Sequence, residues 1–121
     1  MEKIAVLGIH HESLRLSMKM FLDDYKVYEA KTLEEMVEVM KRYNLPRDVE
    51  TPDLYLMDVN LGFPDSPRID SGEKIYNLVK DYVNLGKAKF LSITGNDEAL
   101  ELAVKYNIPC VIKEKFSMLD L

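Results

Sequence analysis

The chain has 121 residues, 47% of them hydrophobic and 31% charged, with a formal net charge of -5. That is one domain's worth of sequence with enough apolar material for a core. The acidic balance argues against direct nucleic-acid binding by this domain, because neutralising phosphates needs a basic face. The single cysteine, Cys110, excludes an internal disulfide and fits a reducing cytosol.

Met1-Glu2-Lys3-Ile4 moves straight into a strand-like run without the apolar stretch of a signal peptide. No apolar run approaches the roughly 20 residues of a membrane span. A cytoplasmic protein with no membrane partner is therefore expected.

Apolar blocks alternate with amphipathic ones, the pattern of βαβ units on a parallel sheet. Ile4-Ala5-Val6-Leu7-Gly8-Ile9 is a short continuous apolar run that suits a strand covered on both faces. Ser13 is the expected cap of a helix from Leu14 to about Asp24, with Leu14, Met18, Phe21 and Leu22 on its inner stripe. Lys26 to Ala30 alternates like an edge strand. Thr32 and Glu35 have capping-box spacing ahead of a helix carrying Leu33, Met36, Val37, Met40 and Tyr43. A polar loop is expected from Asn44 to Pro52.

Leu54-Tyr55-Leu56-Met57-Asp58-Val59 is the strongest strand in the chain. The stretch from Asn60 to Ser71 reads as a long loop, of a length that is often functional in a compact domain. Ser71 is the expected start of a helix through Ile75, Leu78, Val79 and Tyr82, closed near Gly86. Lys89 to Thr94 reads as a fourth strand. Asn96 or Asp97 caps a short helix with Ala99, Leu102, Ala103 and Tyr106 inward, and Cys110-Val111-Ile112 is a fifth strand.

The economical solution is an α/β domain over residues 1–121. It is a three-layer, doubly wound, five-stranded parallel sheet in the order 2-1-3-4-5, with a fifth helix short or missing because only Phe116 to Leu121 remain. Sites in such sheets form beyond the carboxyl ends of the strands. There the sequence offers His10, His11 and Glu12 after strand one, Asp58 after strand three, Thr94 after strand four and Lys113 after strand five. A carboxylate can act as a nucleophile toward phosphorus. The transferring oxygens need cations and donors around them, which Lys113 and Thr94 would supply. Taken singly, Asp58 is as readily a turn residue, Thr94 a turn hydroxyl and Lys113 a solvated lysine; it is their joint placement that points to chemistry.

At these residues the sequence resembles the CheY-like receiver domain of two-component response regulators, over Lys3 to Phe116. Pro52-Asp53-Leu54-Tyr55-Leu56-Met57-Asp58 is similar to the family's phospho-acceptor strand, Asp70-Ser71-Gly72 to the element opening its third helix, Phe90 to Gly95 to the strand ending in the switch hydroxyl, and Val111-Ile112-Lys113 to the strand ending in its lysine. The resemblance implies a signalling domain rather than an enzyme, with at most self-catalysed phosphotransfer. It implies phosphoryl acceptance at Asp58 from a histidine kinase or another phosphorelay protein, with Thr94 and Lys113 assisting. It also implies a downstream protein partner and Mg2+ held by Asp58, Asn60 and a partial contribution from Glu12.

The sequence departs from that family at several positions. Ile9 and His10 stand where receivers carry two adjacent acids, Cys110 where they carry the switch aromatic, and Glu114 where a proline follows the lysine. Lys115-Phe116 offers an offset version of that lysine element. The alternative reading is therefore a pseudo-receiver, an interaction module that keeps the fold without the chemistry. A nucleotide-binding domain is disfavoured, since no glycine-rich loop follows strand one. With so short a C-terminal element, a homodimer over the uncovered sheet face is expected.

Overall fold

The computed structural model describes residues 3–42, 52–118 and 121. The elements run β1 (Lys3–Gly8), α1 (Glu12–Phe21), β2 (Tyr25–Ala30), α2 (Leu33–Arg42), β3 (Leu54–Asp58), α3 (Asp70–Asn84), β4 (Lys89–Thr94), α4 (Asp97–Lys105) and β5 (Cys110–Ile112), followed by a 3₁₀ turn (Lys113–Lys115). The strands form one sheet in the order β2-β1-β3-β4-β5 with every neighbouring pair parallel, the doubly wound, flavodoxin-like arrangement expected from the sequence. Tyr43 and the loop expected from Asn44 onward lie outside the described residues as far as position 51.

Strand β3 is the middle strand, and all five of its residues are buried. That is why it reads as an uninterrupted apolar run ending in one carboxylate. Its side chains divide between two cores. Tyr55 and Met57 face the cluster containing Met36 and Met40 of α2, Ile75 and Val79 of α3, and Ala99 and Ala103 of α4. Leu54 and Leu56 face the cluster containing Met18 of α1 and Leu22 just beyond it. Phe116, Met118 and Leu121 also pack against this second cluster. No fifth α-helix occurs among the described residues; instead the apolar side chains of the C-terminal tail cover part of the sheet face left open beside α1.

At the opposite edge of the sheet, Asp53 joins three strands. Its carboxylate accepts from the Ile4 N–H (2.9 Å), its N–H donates to the Ile4 carbonyl (2.8 Å), and its own carbonyl accepts from the Lys89 N–H (2.9 Å).

Several local expectations are corrected. Helix α1 begins at Glu12, so Ser13 lies inside the first turn and caps nothing; its carbonyl accepts from the Ser17 hydroxyl. The inward stripe of α1 is Arg15, Met18 and Leu22, which turns Phe21 outward to 62% exposure. Helix α3 begins at Asp70, and the Ser71 hydroxyl accepts from the Leu61 N–H (3.0 Å) rather than capping the helix. Tyr106, expected on the inner face of α4, is exposed because it lies past the helix end, where Asn107 takes a positive φ of 59° and turns the chain. The Thr32 cap is present, with the Glu35 N–H donating to its hydroxyl oxygen (3.1 Å). Asn96 is the α4 cap, its side-chain oxygen accepting from the N–H groups of Glu98 (2.9 Å) and Ala99 (3.1 Å). Gly86, with a φ of 73°, follows the end of α3 where a left-handed residue is needed.

Candidate functional site

The carboxyl ends of β1, β3, β4 and β5 lie side by side, so Asp58, Thr94 and Lys113 come to one edge of the sheet. Asp58 pairs in register with Ile93, the residue before Thr94, and Thr94 pairs with Ile112, the residue before Lys113. Beyond Asp58 the ladder continues for one bond, from the Val59 N–H to the Ile93 carbonyl (2.8 Å). The Gly72 N–H then donates to the Val59 carbonyl (2.8 Å), fixing the start of α3 beside the site.

Asp58 is 2% exposed, and its Oδ2 accepts from the backbone N–H of His10 (2.9 Å). Burial raises its carboxyl above the ordinary aspartate range. That hydrogen bond and the charges of Lys113, His11 and His10 act in the opposite direction without cancelling it. Lys113 opens the 3₁₀ turn after β5, and it is the lysine whose charge acts on Asp58. Thr94 is buried, and its hydroxyl oxygen accepts from the Asn96 N–H (3.1 Å), which leaves the hydroxyl hydrogen free to donate elsewhere. Asn60 is buried at the wall of a cleft of about 700 Å³ that also includes His10, Phe63, Arg68 and Ser71. Its carbonyl accepts from the Phe63 N–H (3.1 Å).

At the two positions after β1 where the receiver resemblance would place a pair of acids, the structure has a different chemistry. The Ile9 side chain is wholly buried in the α1-side core. His10 is exposed and turns a peptide N–H, not an oxygen, toward Asp58; its Nδ1 lies 3.4 Å from the Lys31 carbonyl. Glu12 is exposed in the first turn of α1. Among the described residues no group of three or more His, Cys, Asp or Glu side chains is arranged to hold a metal ion.

One residue of the site was not singled out from the sequence. Arg15, 5% exposed, sends Nη1 to the carbonyls of Ile9 (2.8 Å) and His10 (3.4 Å), while its Nε meets Glu29 (3.1 Å). Lys19 also meets Glu29 (2.9 Å). A guanidinium with several donors in a fixed fork can hold two carbonyls and a carboxylate at once. Arg15 therefore fixes the β1–α1 loop and, through it, the peptide that faces Asp58. The available signal was its position i−3 from Met18, which puts it on the inward stripe.

Compared with known proteins, the chain matches no family model, no curated protein and no solved structure.

Proposed function

We propose that this chain is a receiver-type signalling module that works by protein–protein interaction at the Asp58 edge, without magnesium-dependent phosphotransfer. The observation that carries this reading is the pair of residues after β1. Ile9 is committed to the core and His10 offers a peptide N–H to Asp58, where a receiver would offer two carboxylates. Magnesium takes oxygen ligands in tight octahedral geometry. The positive end of a peptide dipole on Oδ2 competes with a cation for that oxygen, so the donors do not fit a receiver's magnesium site. In this reading the bonds from the His10 and Asn96 N–H groups hold the loops after β1 and β4 in place around Asp58 and Thr94, and the docking edge is built on those loops.

A second reading, phosphoryl acceptance by Asp58 from a histidine kinase, is favoured by the shared edge of Asp58, Thr94 and Lys113. Incubation with acetyl phosphate and Mg2+, followed by intact-mass measurement, separates the two. The interaction-module reading expects no phosphoryl mass gain and no change in amide shifts with beryllofluoride. A phosphoryl adduct that disappears in Asp58→Asn overturns it in favour of phosphotransfer.

A further inference from the structure

The connection from β3 to α3 does not swing away from the sheet edge. It leaves Asp58, makes two successive turns, from the Phe63 N–H to the Asn60 carbonyl (3.1 Å) and from the Ser66 N–H to the Phe63 carbonyl (3.0 Å), and crosses to the connection between β4 and α4. There the Asp65 carbonyl accepts from the Asn96 side-chain N–H (3.2 Å). The Asp65 carboxylate lies over Gly95, with Oδ1 only 2.6 Å from where a Cβ on that residue would stand. Any larger residue at position 95 would displace it.

The crossing segment is braced and anchored. Leu61 and Ile69 at its ends are buried in the core, Gly62 has a φ of 96°, and Pro64 and Pro67 limit the backbone between them. Asp58 and Thr94, at the strand ends that this segment leaves and reaches, are almost wholly buried. The tie itself is an exposed hydrogen bond, the kind that contributes little net stability and opens readily.

We propose that residues 61–66 form a latch over the Asp58 edge, held shut by Asp65 against Gly95 and Asn96. Its release exposes Asp58 and Thr94 while the rest of the fold stays intact. Asn96 has two roles that are chemically separable: its oxygen caps α4, and its amide nitrogen holds the latch. Asn96→Asp keeps a good cap and removes the donor. Gly95→Ala leaves Asn96 untouched and puts a methyl group where the Asp65 carboxylate lies.

The test is carbodiimide-and-amine labelling of carboxylates in the full chain, read at Asp58 by peptide mass mapping, together with amide exchange at Phe63 and Ser66. Asn96→Asp is expected to label Asp58 several-fold faster than the wild type and to exchange those two amides faster, with the α4 amides unchanged; Gly95→Ala, whose new methyl group meets only the tip of the Asp65 side chain, is expected to do so to a smaller extent. Asp65→Asn retains the carbonyl acceptor and is expected to exchange Phe63 and Ser66 at the wild-type rate. Wild-type labelling rates at Asp58 in both folded variants overturn the proposal. A test that needs no variant is exchange in the wild-type protein: if the Phe63 and Ser66 amides exchange only at the rate of the deepest core amides, the latch does not open on its own and the proposal fails. These readouts follow the loop alone, so they stand or fall independently of the phosphodonor experiment.

Discussion

The His10 N–H donates to Asp58 Oδ2 across 2.9 Å, joining the loop after β1 to the end of β3. The His10 peptide is held by Arg15, whose guanidinium takes the carbonyls of Ile9 and His10. A chain of polar contacts thus runs from Glu29 on the edge strand β2, through Arg15 of α1, to the carboxylate at the centre of the site.

The first prediction concerns that chain. Arg15→Met keeps an apolar stem on the inward stripe but leaves the Ile9 and His10 carbonyls without the guanidinium, and Glu29 with Lys19 as its remaining partner in the chain of contacts. The expected cost is about 3 kcal/mol, at the low end for breaking a buried ion pair, because Glu29 is itself 35% exposed and retains Lys19. Urea denaturation measures it. The amide resonance of His10 is expected to shift in the same variant, since its peptide is no longer held toward Asp58. A loss of stability with the His10 resonance unmoved would make Arg15 a packing residue only.

The second concerns pH. Burial raises the Asp58 carboxyl in the folded protein, so over a window above the ordinary aspartate range the native state keeps a proton that the unfolded chain has released. Stability linked to Asp58 is therefore full below that window and falls as pH rises through it. Asp58→Asn does not titrate and escapes this loss. It is expected to melt at a higher temperature than the wild type near neutrality, with the advantage vanishing in acid. Thermal melts of both proteins across pH check the sign; an advantage that instead grows toward acid would mean that the carboxylate is stabilised as an anion.

The sheet was legible because β1 and β3 carry continuous apolar runs and apolar blocks alternate with amphipathic ones along the chain, and the strand order that this pattern implies brings Asp58, Thr94 and Lys113 to one edge. What escaped the sequence was polar and non-local. An arginine in an amphipathic helix reads as solvent-facing, and it is Glu29 and the carbonyls of Ile9 and His10, brought close by the fold, that satisfy an inward Arg15. Ser13 and Ser71 carry the local signal of caps. The Ser71 hydroxyl is nevertheless taken by the Leu61 N–H, a demand set by the long loop rather than by the helix. The tie between Asp65 and Asn96 joins residues 31 positions apart, with no periodicity to announce it.

The third prediction concerns the start of α3. A Cβ on Gly72 would stand 2.7 Å from Val59 Cγ2 and 3.2 Å from both the Cα and the carbonyl oxygen of Val59. The backbone atoms cannot move aside as a side-chain tip would. Gly72→Ala improves helix propensity by about 1 kcal/mol, but overpacking of this kind costs typically 1–3 kcal/mol. A net destabilisation of about 1 kcal/mol is expected in urea, with chemical-shift changes concentrated at Val59 to Leu61. A stabilised variant would show that α3 can retreat from β3 without strain.

The last prediction tests the core beneath the site. Tyr55 is wholly buried in the middle strand, and its hydroxyl has no hydrogen-bond partner among the described residues. Burial, with Tyr82 nearby, pushes the phenol above its ordinary value, so it stays neutral at every physiological pH. A buried hydroxyl without a partner costs about 1–3 kcal/mol in desolvation. Removing that oxygen leaves a cavity smaller than a methyl group, with little packing to lose. Tyr55→Phe is therefore expected to raise stability by about 1 kcal/mol, the lower end of that range, read as a higher urea midpoint with an unchanged slope. A loss of stability of the same size would mean that the hydroxyl is hydrogen-bonded in the folded protein, most simply to a buried water.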